Sequence, residues 1–126
     1  FGFENIEGIS KVDRGAPDLL RRDFLEGTEK NCFLFDAPAG QYELFVVSGD
    51  ECEDSVTILN CDEGRHCGGE IIKAGSYQYK VIPLVHEKDG NIKLDISTVS
   101  GKKWKLNYIL VNLIFSSNYF SHAPHL

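Results

Sequence analysis

A chain of 126 residues with 42% hydrophobic and 25% charged residues can form a single domain with its own apolar core, and this balance excludes a disordered or fibrous protein. The formal net charge of −6 provides no positive field, which argues against non-specific binding to nucleic acid or to an anionic membrane surface. No apolar run reaches the roughly 20 residues that a membrane-spanning helix needs, and Asn112 interrupts the apolar stretch at 109–115.

Residues 1–30 are the least regular part of the chain, and within them residues 18–25 predict one amphipathic turn capped by Asp18. From residue 32 onward, short apolar and alternating segments predict β-strands. These predicted strands cover residues 32–36, 41–48, 55–60, 70–73, 77–87, 92–96 and 104–115. Pro38 and Gly40 suit a type I turn, and Asp89-Gly90 is a hairpin signal. Such a series of short strands predicts an all-β sandwich or barrel.

The four cysteines, Cys32, Cys52, Cys61 and Cys67, leave two alternatives open. An even number in a small acidic chain suits disulfides in an extracellular setting. Residues 61–67 form a loop that is symmetric about Gly64, so a hairpin there would favour a Cys61–Cys67 bridge, with Cys32–Cys52 by elimination. The other alternative is that the thiols are reduced and pack as small hydrophobic groups.

An ordered series of short motifs runs through residues 1–113. The motifs are Phe1-Gly2-Phe3, Leu20-Arg21-Arg22-Asp23-Phe24, Pro38-Ala39-Gly40-Gln41-Tyr42, Gly49-Asp50, Ala74-Gly75-Ser76-Tyr77, Asp89-Gly90 and Trp104-Lys105-Leu106-Asn107. The series resembles the galactose-binding-like domains attached to bacterial rhamnogalacturonan acetylesterases and other carbohydrate-active enzymes. That resemblance implies an all-β jelly-roll β-sandwich over residues 1–115, followed by a polar tail or linker at 116–126.

Members of that family usually begin with one more strand before the aromatic-Gly-Phe motif, and this chain lacks it. We therefore expect one edge of the sandwich to be missing or replaced. The sequence also contains no methionine and no recognisable signal peptide. We expect Phe1 to arise by processing of a longer polypeptide, in which the domain is covalently linked to a catalytic domain.

The predicted hairpin indicates which end of the sandwich could carry a ligand. If strands 77–87 and 91–97 pair in antiparallel fashion, the segments at 73–76 and 98–103 lie at the same end. We therefore expect the loops at this end to be close together.

Four candidate ligand-binding residues belong to this end: Tyr77, Lys102, Lys103 and Trp104. Sugar rings stack on aromatic side chains, and lysines attract an acidic sugar such as galacturonate. The alternative is that Trp104 and Tyr77 begin strands and point into the core. Arg22 is a fifth candidate, since a guanidinium can clamp a carboxylate, although such a segment more often ties the N-terminal loop to the sandwich.

The acidic segment at 50–54 offers hard oxygen ligands, so a structural calcium ion is one alternative and a solvated acidic loop is the other. The spacing of Cys52, Cys61, His66 and Cys67 is poor for zinc, so we predict no metal ligand. His86 lies within an apolar strand and is expected to be a core or rim histidine rather than a catalytic base.

Catalysis is not expected, because the chain has no Gly-x-Ser-x-Gly elbow and no serine follows Gly49-Asp50 as in a Gly-Asp-Ser esterase motif. The predicted function is a secreted, non-catalytic carbohydrate-binding module for plant cell-wall polysaccharide, pectin-like or hemicellulosic. The alternative is an accessory domain that packs against a catalytic domain or mediates protein–protein contact. An exposed Trp104 flanked by lysines would support the first, and a buried Trp104 beside an apolar edge would support the second.

Overall fold

The computed structural model describes residues 2–3, 8–14, 23–61 and 65–116, which form strands joined by turns and loops. The strands within these ranges are β1 (Gly2–Phe3), β2 (Ile9–Asp13), β3 (Asp23–Gly27), β4 (Asn31–Ala37), β5 (Gly40–Asp50), β6 (Ser55–Cys61), β7 (Arg65–Ile72), β8 (Ser76–His86), β9 (Gly90–Ser97), β10 (Trp104–Leu106) and β11 (Tyr108–Ser116). The predicted all-β class is confirmed. The described residues include no helix long and apolar enough to cross a membrane.

The strands form three antiparallel sheets. A five-stranded sheet has the order β1-β4-β9-β6-β7, a second sheet has the order β11-β5-β8, and a third has the order β10-β3-β2. We call the second the β5 sheet and the third the β3 sheet. Because β10 contacts both β5 and β6, the β3 sheet joins the two larger sheets.

The core is filled by alternate residues of the five-stranded sheet and the β5 sheet. Its most deeply buried members from these two sheets are Leu44, Val46, Leu59, Ile92, Leu94 and Ile96. Each such side chain contributes about 1.5–3 kcal/mol through removal of apolar surface from water. The period-two alternation that predicted β9 from the sequence is therefore the pattern that builds the core.

The connection between β8 and β9 differs from the predicted hairpin. β8 pairs with β5, whereas β9 pairs with β4 and β6, so the chain crosses from one sheet to the other after His86. The two strands face each other across the core because both carry buried aliphatic side chains. Asp89 in the connecting turn accepts a hydrogen bond from the backbone N–H of Ala39 at 2.7 Å, which holds together two turns at this end.

Two further predictions about strands need correction. Residues 1–30 contain β2 and β3, and Phe24 lies in β3 rather than in a helical turn; residues 18–22 lie outside the described part. The strand predicted at 104–115 is divided into β10 and β11 at Asn107. The Asn107 backbone N–H donates to Val47 O and its side-chain oxygen accepts from Gly49 N–H, both at 2.9 Å, where the chain passes from the β3 sheet to the β5 sheet.

Of the two alternatives for the cysteines, the structure has the free thiols, since no disulfide joins the four cysteines. The register of β6 and β7 pairs Cys61 with Arg65 and Cys67 with Leu59, so the two cysteines are not opposite each other. Burial raises the pKa of the Cys67 thiol, which keeps it in the neutral form.

Candidate functional site

The end of the sandwich where β5 ends and β8 begins contains most of the predicted site residues. Tyr77 is partly buried, and its hydroxyl donates to Glu51 Oε1 at 3.0 Å. Lys102 and Lys103 lie in the connection between β9 and β10 and are also partly buried. Arg22, the fifth predicted residue, lies outside the described part of the chain.

Trp104 does not have the exposed position that stacking on a sugar requires. Its side chain is 0% exposed, and its indole N–H donates to the carbonyl oxygen of Glu29 at 2.8 Å. The ring lies over Gly27, where an added Cβ atom would be only 2.6 Å from Cζ2 of the indole. Trp104 is therefore a core residue, and its predicted stacking role must be withdrawn because no face of the ring is available to a ligand.

The two lysines have different surroundings. The Lys103 ammonium pairs with Glu26 at 3.0 Å and with Glu53 at 3.6 Å, and its hydrogen bond to Glu26 raises the pKa of Lys103. Its charge is therefore compensated within the protein. The hydrogen bond from the Ala74 N–H lowers the pKa of Asp54 against the opposing effect of desolvation, and the charges of Lys73 and then Lys102 add to the lowering. Lys102 thus leaves more of its charge available to a ligand.

A polar groove of about 540 Å³ lies between the connection from β3 to β4 and the connection from β9 to β10. We call it the end groove; its lining residues are Thr28, Glu29, Thr98, Val99, Ser100, Gly101, Lys102 and Lys103. The Thr98 hydroxyl is buried and has no hydrogen-bond partner among the described residues. The groove thus combines hydroxyl groups with the ammonium of Lys102, but the aromatic Tyr77 is not part of its lining.

Beside the end groove is a group of ionised side chains, centred on the buried Lys105 and Asp50, that sequence reasoning missed. We call it the charged cluster; its members are Arg14, Glu26, Asp50, Glu53, Lys103 and Lys105. Lys105 is 0% exposed. Its ammonium lies 2.5 Å from Glu26 Oε1, 3.1 Å from Asp50 Oδ2 and 2.5 Å from Glu53 Oε1.

Local structure explains how Lys105 comes to be buried. All three residues of β10 are buried, since the strand pairs with β3 on one edge and packs against β6. The Thr57 hydroxyl accepts a hydrogen bond from the Lys105 N–H at 3.0 Å and so fixes the backbone. The lysine side chain passes the ring of Phe24, with Nζ 5.1 Å from the ring centroid, an arrangement typical of a cation–π contact.

Asp50 is the most constrained carboxylate of the charged cluster. The Arg14 guanidinium donates two hydrogen bonds to it, each at 2.9 Å. Burial alone would raise the pKa of Asp50, but the bonds from Arg14, from the Cys52 N–H and from Lys105 outweigh it and lower the pKa to about 2. Burial likewise acts to raise the pKa of Glu26, and hydrogen bonds from its two lysines lower it overall. The cluster is therefore fully ionised at neutral pH.

Two residues of the acidic segment at 50–54, Asp50 and Glu53, can be tested as calcium ligands against this geometry, together with Glu26, which the sequence did not indicate. Oxygens of Glu26, Asp50 and Glu53 lie within 4.8 Å of one another, which is a spacing that a cation could bridge. The Lys105 ammonium, however, contacts all three carboxylates at 2.5–3.1 Å and occupies the space between them. A calcium ion does not fit these residues while Lys105 remains in place.

The outward side of the β5 sheet carries aromatic rings that the sequence analysis did not select. We call it the aromatic face. We call three residues that pair with one another across β11, β5 and β8 a row of the sheet. Two neighbouring rows on this side are apolar, one with Tyr108, Val47 and Tyr79, and the other with Leu110, Phe45 and Val81. The Phe45 ring lies between the tyrosines, with its centroid 6.4 Å from Tyr79 and 6.3 Å from Tyr108. Tyr79 and Tyr108 are 53% and 38% exposed, so a ligand can reach them.

An apolar groove of about 530 Å³ lies between β4 and β11. Its lining residues are Phe33, Phe35, Asp36, Ala37, Pro38, Tyr42, Ile109, Leu110, Val111 and Leu113. The two residues of β1 pair with Leu34 and Phe33, next to this groove. The groove therefore lies along an edge of the sandwich.

No protein-family model matches the sequence, and no curated protein matches it. Solved structures do match. The YxiM protein of Bacillus subtilis superimposes with a TM-score of 0.65 at 20% identity over 90% of this chain and 32% of that chain. The GH26-CBM35 β-(1,4)-mannanase of Podospora anserina gives a TM-score of 0.59 at 18% identity over 94% of this chain and 26% of that chain. The CBM35 of Paenibacillus barcinonensis gives a TM-score of 0.51 at 12% identity over 86% of this chain and 94% of that chain.

The chain therefore spans about a third or less of the two longer proteins and most of the isolated module. At these identities the likeness establishes the fold. The protein has the galactose-binding-like jelly-roll fold that the ordered motifs predicted, a fold that also occurs in modules of carbohydrate-active enzymes.

Proposed function

We propose that this protein is a non-catalytic carbohydrate-binding module that recognises plant cell-wall polysaccharide and acts outside the cell, covalently linked to a catalytic domain. The jelly-roll fold supports a binding role, because structures with this fold include a family 35 carbohydrate-binding module and a mannanase that carries one. Fold alone does not define function, so the proposal depends on the site.

The observation that carries the proposal is the end groove, in which the Lys102 ammonium and the hydroxyl groups of Thr28, Thr98 and Ser100 line one cavity. Sugar recognition needs hydrogen-bonding groups that converge on a concave surface. Thr28 and Ser100 are exposed in the groove, so their hydroxyls can exchange hydrogen bonds with the hydroxyls of a ligand. Lys102 adds attraction for a carboxylate, which favours a pectin-like, galacturonate-containing ligand at this groove.

Titration calorimetry with oligogalacturonides and neutral hemicellulose oligosaccharides tests this proposal. Lys102→Ala should weaken oligogalacturonide binding and make the remaining affinity less dependent on salt. Lys88→Ala is the matched control, because it removes the same charge from an exposed site in the connection between β8 and β9, at the opposite end of the sandwich. Absence of saturable binding to every oligosaccharide by the folded protein would refute the proposal.

A second candidate function, an accessory domain that packs against a catalytic domain, is favoured by two observations. Trp104 is buried, and the apolar groove runs along the edge between β4 and β11. An exposed apolar surface of this kind is typical of a protein interface. In that case, Leu113→Asp in the groove would abolish association with the linked domain, whereas Lys102→Ala would leave association unchanged.

A further inference from the structure

Exposed apolar side chains are concentrated on two strands of this protein. Those of Tyr79, Val81, Tyr108 and Leu110 lie on the aromatic face, whereas Leu113 lines the apolar groove. Among the large hydrophobic residues that are exposed in the described part of the chain, all except Ile71 and Val99 lie on β8 or β11. These are the two outer strands of the β5 sheet. Soluble proteins rarely leave such a surface uncovered unless it binds something. The aromatic face therefore needs an occupant.

The rings on this face are arranged in a way that suits a chain of sugars. Tyr79 and Tyr108 both pair with Val47, one on each side of β5. They are therefore two strand spacings apart, which is about 10 Å. This span is comparable to two consecutive sugar rings in an extended polysaccharide. The Phe45 ring lies between the tyrosines, tilted by 33° from the Tyr79 ring and at 70°, nearly perpendicular, to the Tyr108 ring, so it fills the gap without adding a third parallel stacking surface.

Hydrogen-bonding groups lie directly beside the rings. The next row across the sheet contains Asn112 and Glu43, and the row after it contains Gln41. Asn112 is exposed and the other two are partly buried, so their amide and carboxylate groups can reach the hydroxyls of a stacked sugar. A ligand site that combines apolar rings with a few polar groups in this way has the composition expected for a sugar.

The charge of the aromatic face further restricts its ligand. Its four rows contain no lysine or arginine, and Glu43 is their one carboxylate. A polysaccharide of uronic acids would meet no compensating cation and one like charge. The aromatic face therefore differs from the end groove, where Lys102 favours an acidic sugar. Its chemistry fits a neutral sugar.

We propose that the aromatic face binds a neutral polysaccharide of β-(1→4)-linked sugars, whose ring faces stack on Tyr79 and Tyr108 while Asn112 and Gln41 bond to sugar hydroxyls. β-(1→4)-Linked chains are extended, so successive sugars can contact the face of one sheet together. The inference rests on the proposed function for the class of ligand, but it assigns that ligand to a surface separate from the end groove. The protein would then have two sites, the end groove for an acidic sugar and the aromatic face for a neutral one.

The experiment is calorimetric titration of the full chain with cellohexaose, xylohexaose and mannohexaose. We expect at least one of them to bind, and we expect Tyr79→Ala and Tyr108→Ala each to lower its affinity by about tenfold, since an aromatic stacking contact contributes about 1 kcal/mol or more. Ile71→Ala is the matched control, because it removes a similarly exposed apolar side chain from the five-stranded sheet. The fluorescence of buried Trp104 reports whether each variant is folded.

The possible results separate this inference from the proposed function. Neutral-oligosaccharide binding that is lost in the tyrosine variants and retained in Ile71→Ala and Lys102→Ala supports the aromatic face. Binding of oligogalacturonide alone, dependent on Lys102, leaves the proposed function intact and overturns the inference. Unchanged affinity of folded Tyr79→Ala and Tyr108→Ala for the neutral ligand also overturns it. A dimer in sedimentation that Tyr79→Ala dissociates would assign the face to a second copy of the chain and overturn it as well.

Discussion

Replacement of Lys105 by methionine tests the central role of this residue in the charged cluster. Methionine has a similar length and can fill the same space without the ammonium group. The change removes contacts to Glu26, Asp50 and Glu53 at 2.5, 3.1 and 2.5 Å. Removing one partner of a buried ion pair typically costs about 3–5 kcal/mol, because the remaining charge is left without compensation.

The structure places the expected loss at the lower end of that range. Arg14 still holds Asp50 through two hydrogen bonds, and Lys103 still contacts Glu26 at 3.0 Å. Glu53 has a side chain that is 40% exposed and can turn toward water. We therefore expect Lys105→Met to lower the free energy of unfolding by about 3 kcal/mol, which for a domain of this size lowers Tm by about 12 °C.

Urea unfolding followed by the fluorescence of Trp104 measures this change. Lys103→Met is the matched control: it removes a lysine that is 41% exposed and leaves Lys105 in place, so a loss of about 1 kcal/mol or less is expected. Glu26→Gln combined with Lys105→Met should recover part of the stability, since it removes one of the uncompensated charges. If Lys105→Met costs no more than Lys103→Met, the reasoning about the charged cluster is wrong.

The same variant tests the argument about calcium. The unmodified protein should show no change in unfolding free energy when calcium is added, because Lys105 occupies the space between the three carboxylates. In Lys105→Met that space is open to a cation, and the carboxylate oxygens lie within 4.8 Å of one another. Calcium should therefore stabilise the variant through preferential binding to its folded state. Equal stabilisation of both proteins would show that calcium binds elsewhere.

Three further predictions concern acid stability, packing and thiols. The pKa of Asp50 is lowered from 3.8 to about 2 in the folded protein, so the ionised carboxylate adds about 2 kcal/mol to the free energy of unfolding above pH 4, and this contribution is lost as the pH falls toward 2. Urea unfolding at pH 2–6 checks this. The variant Arg14→Gln should lose less stability over the same pH range. Gly27→Ala should lower the free energy of unfolding by about 1–3 kcal/mol and shift the fluorescence emission of Trp104, because the new methyl group would lie 2.6 Å from the indole. Unchanged stability would contradict the packing described. Cys52→Ser and added reductant should each leave the unfolding free energy within about 0.5 kcal/mol, since Cys52 is exposed and forms no disulfide; a reductant-dependent loss would indicate a disulfide in solution.

The part of the fold that sequence predicts best is the part where local pattern and tertiary structure agree. Residues 92–96 alternate because one side faces the core, and β9 at Gly90–Ser97 is confirmed. The pairing of strands is a different matter. Asp89-Gly90 favours a tight turn, but it does not determine whether the next strand continues the same sheet or crosses to the opposite one. The crossing is decided by the apolar sides of β8 and β9, which bury more surface by facing each other across the core.

The charged cluster could not be predicted because its members come from separate segments of the chain. Arg14, Asp50 and Lys105 belong to three different regions, and each is by itself an ordinary charged residue. One local signal did exist: in β10, Lys105 lies between Trp104 and Leu106, and the strand is buried on both sides. A lysine flanked by two core residues in a short strand predicts a buried charge that needs a partner. Its partners are identified only once the sheets are assembled.

The aromatic face also has a local signal, and this signal bears on function. Successive residues of β5 point to opposite sides of the sheet, and both sides are apolar: Leu44 and Val46 lie on one, Phe45 and Val47 on the other. This pattern predicts a strand that is covered on both sides. The structure covers the first side with the core, whereas on the second side Val47 is buried, Phe45 is partly buried, and Tyr79 and Tyr108 on the neighbouring strands are exposed. We infer that a partner outside the domain covers the exposed part of this second side. Exposed aromatic rings, flanking amides and the absence of cations from its four rows favour a neutral polysaccharide as that partner.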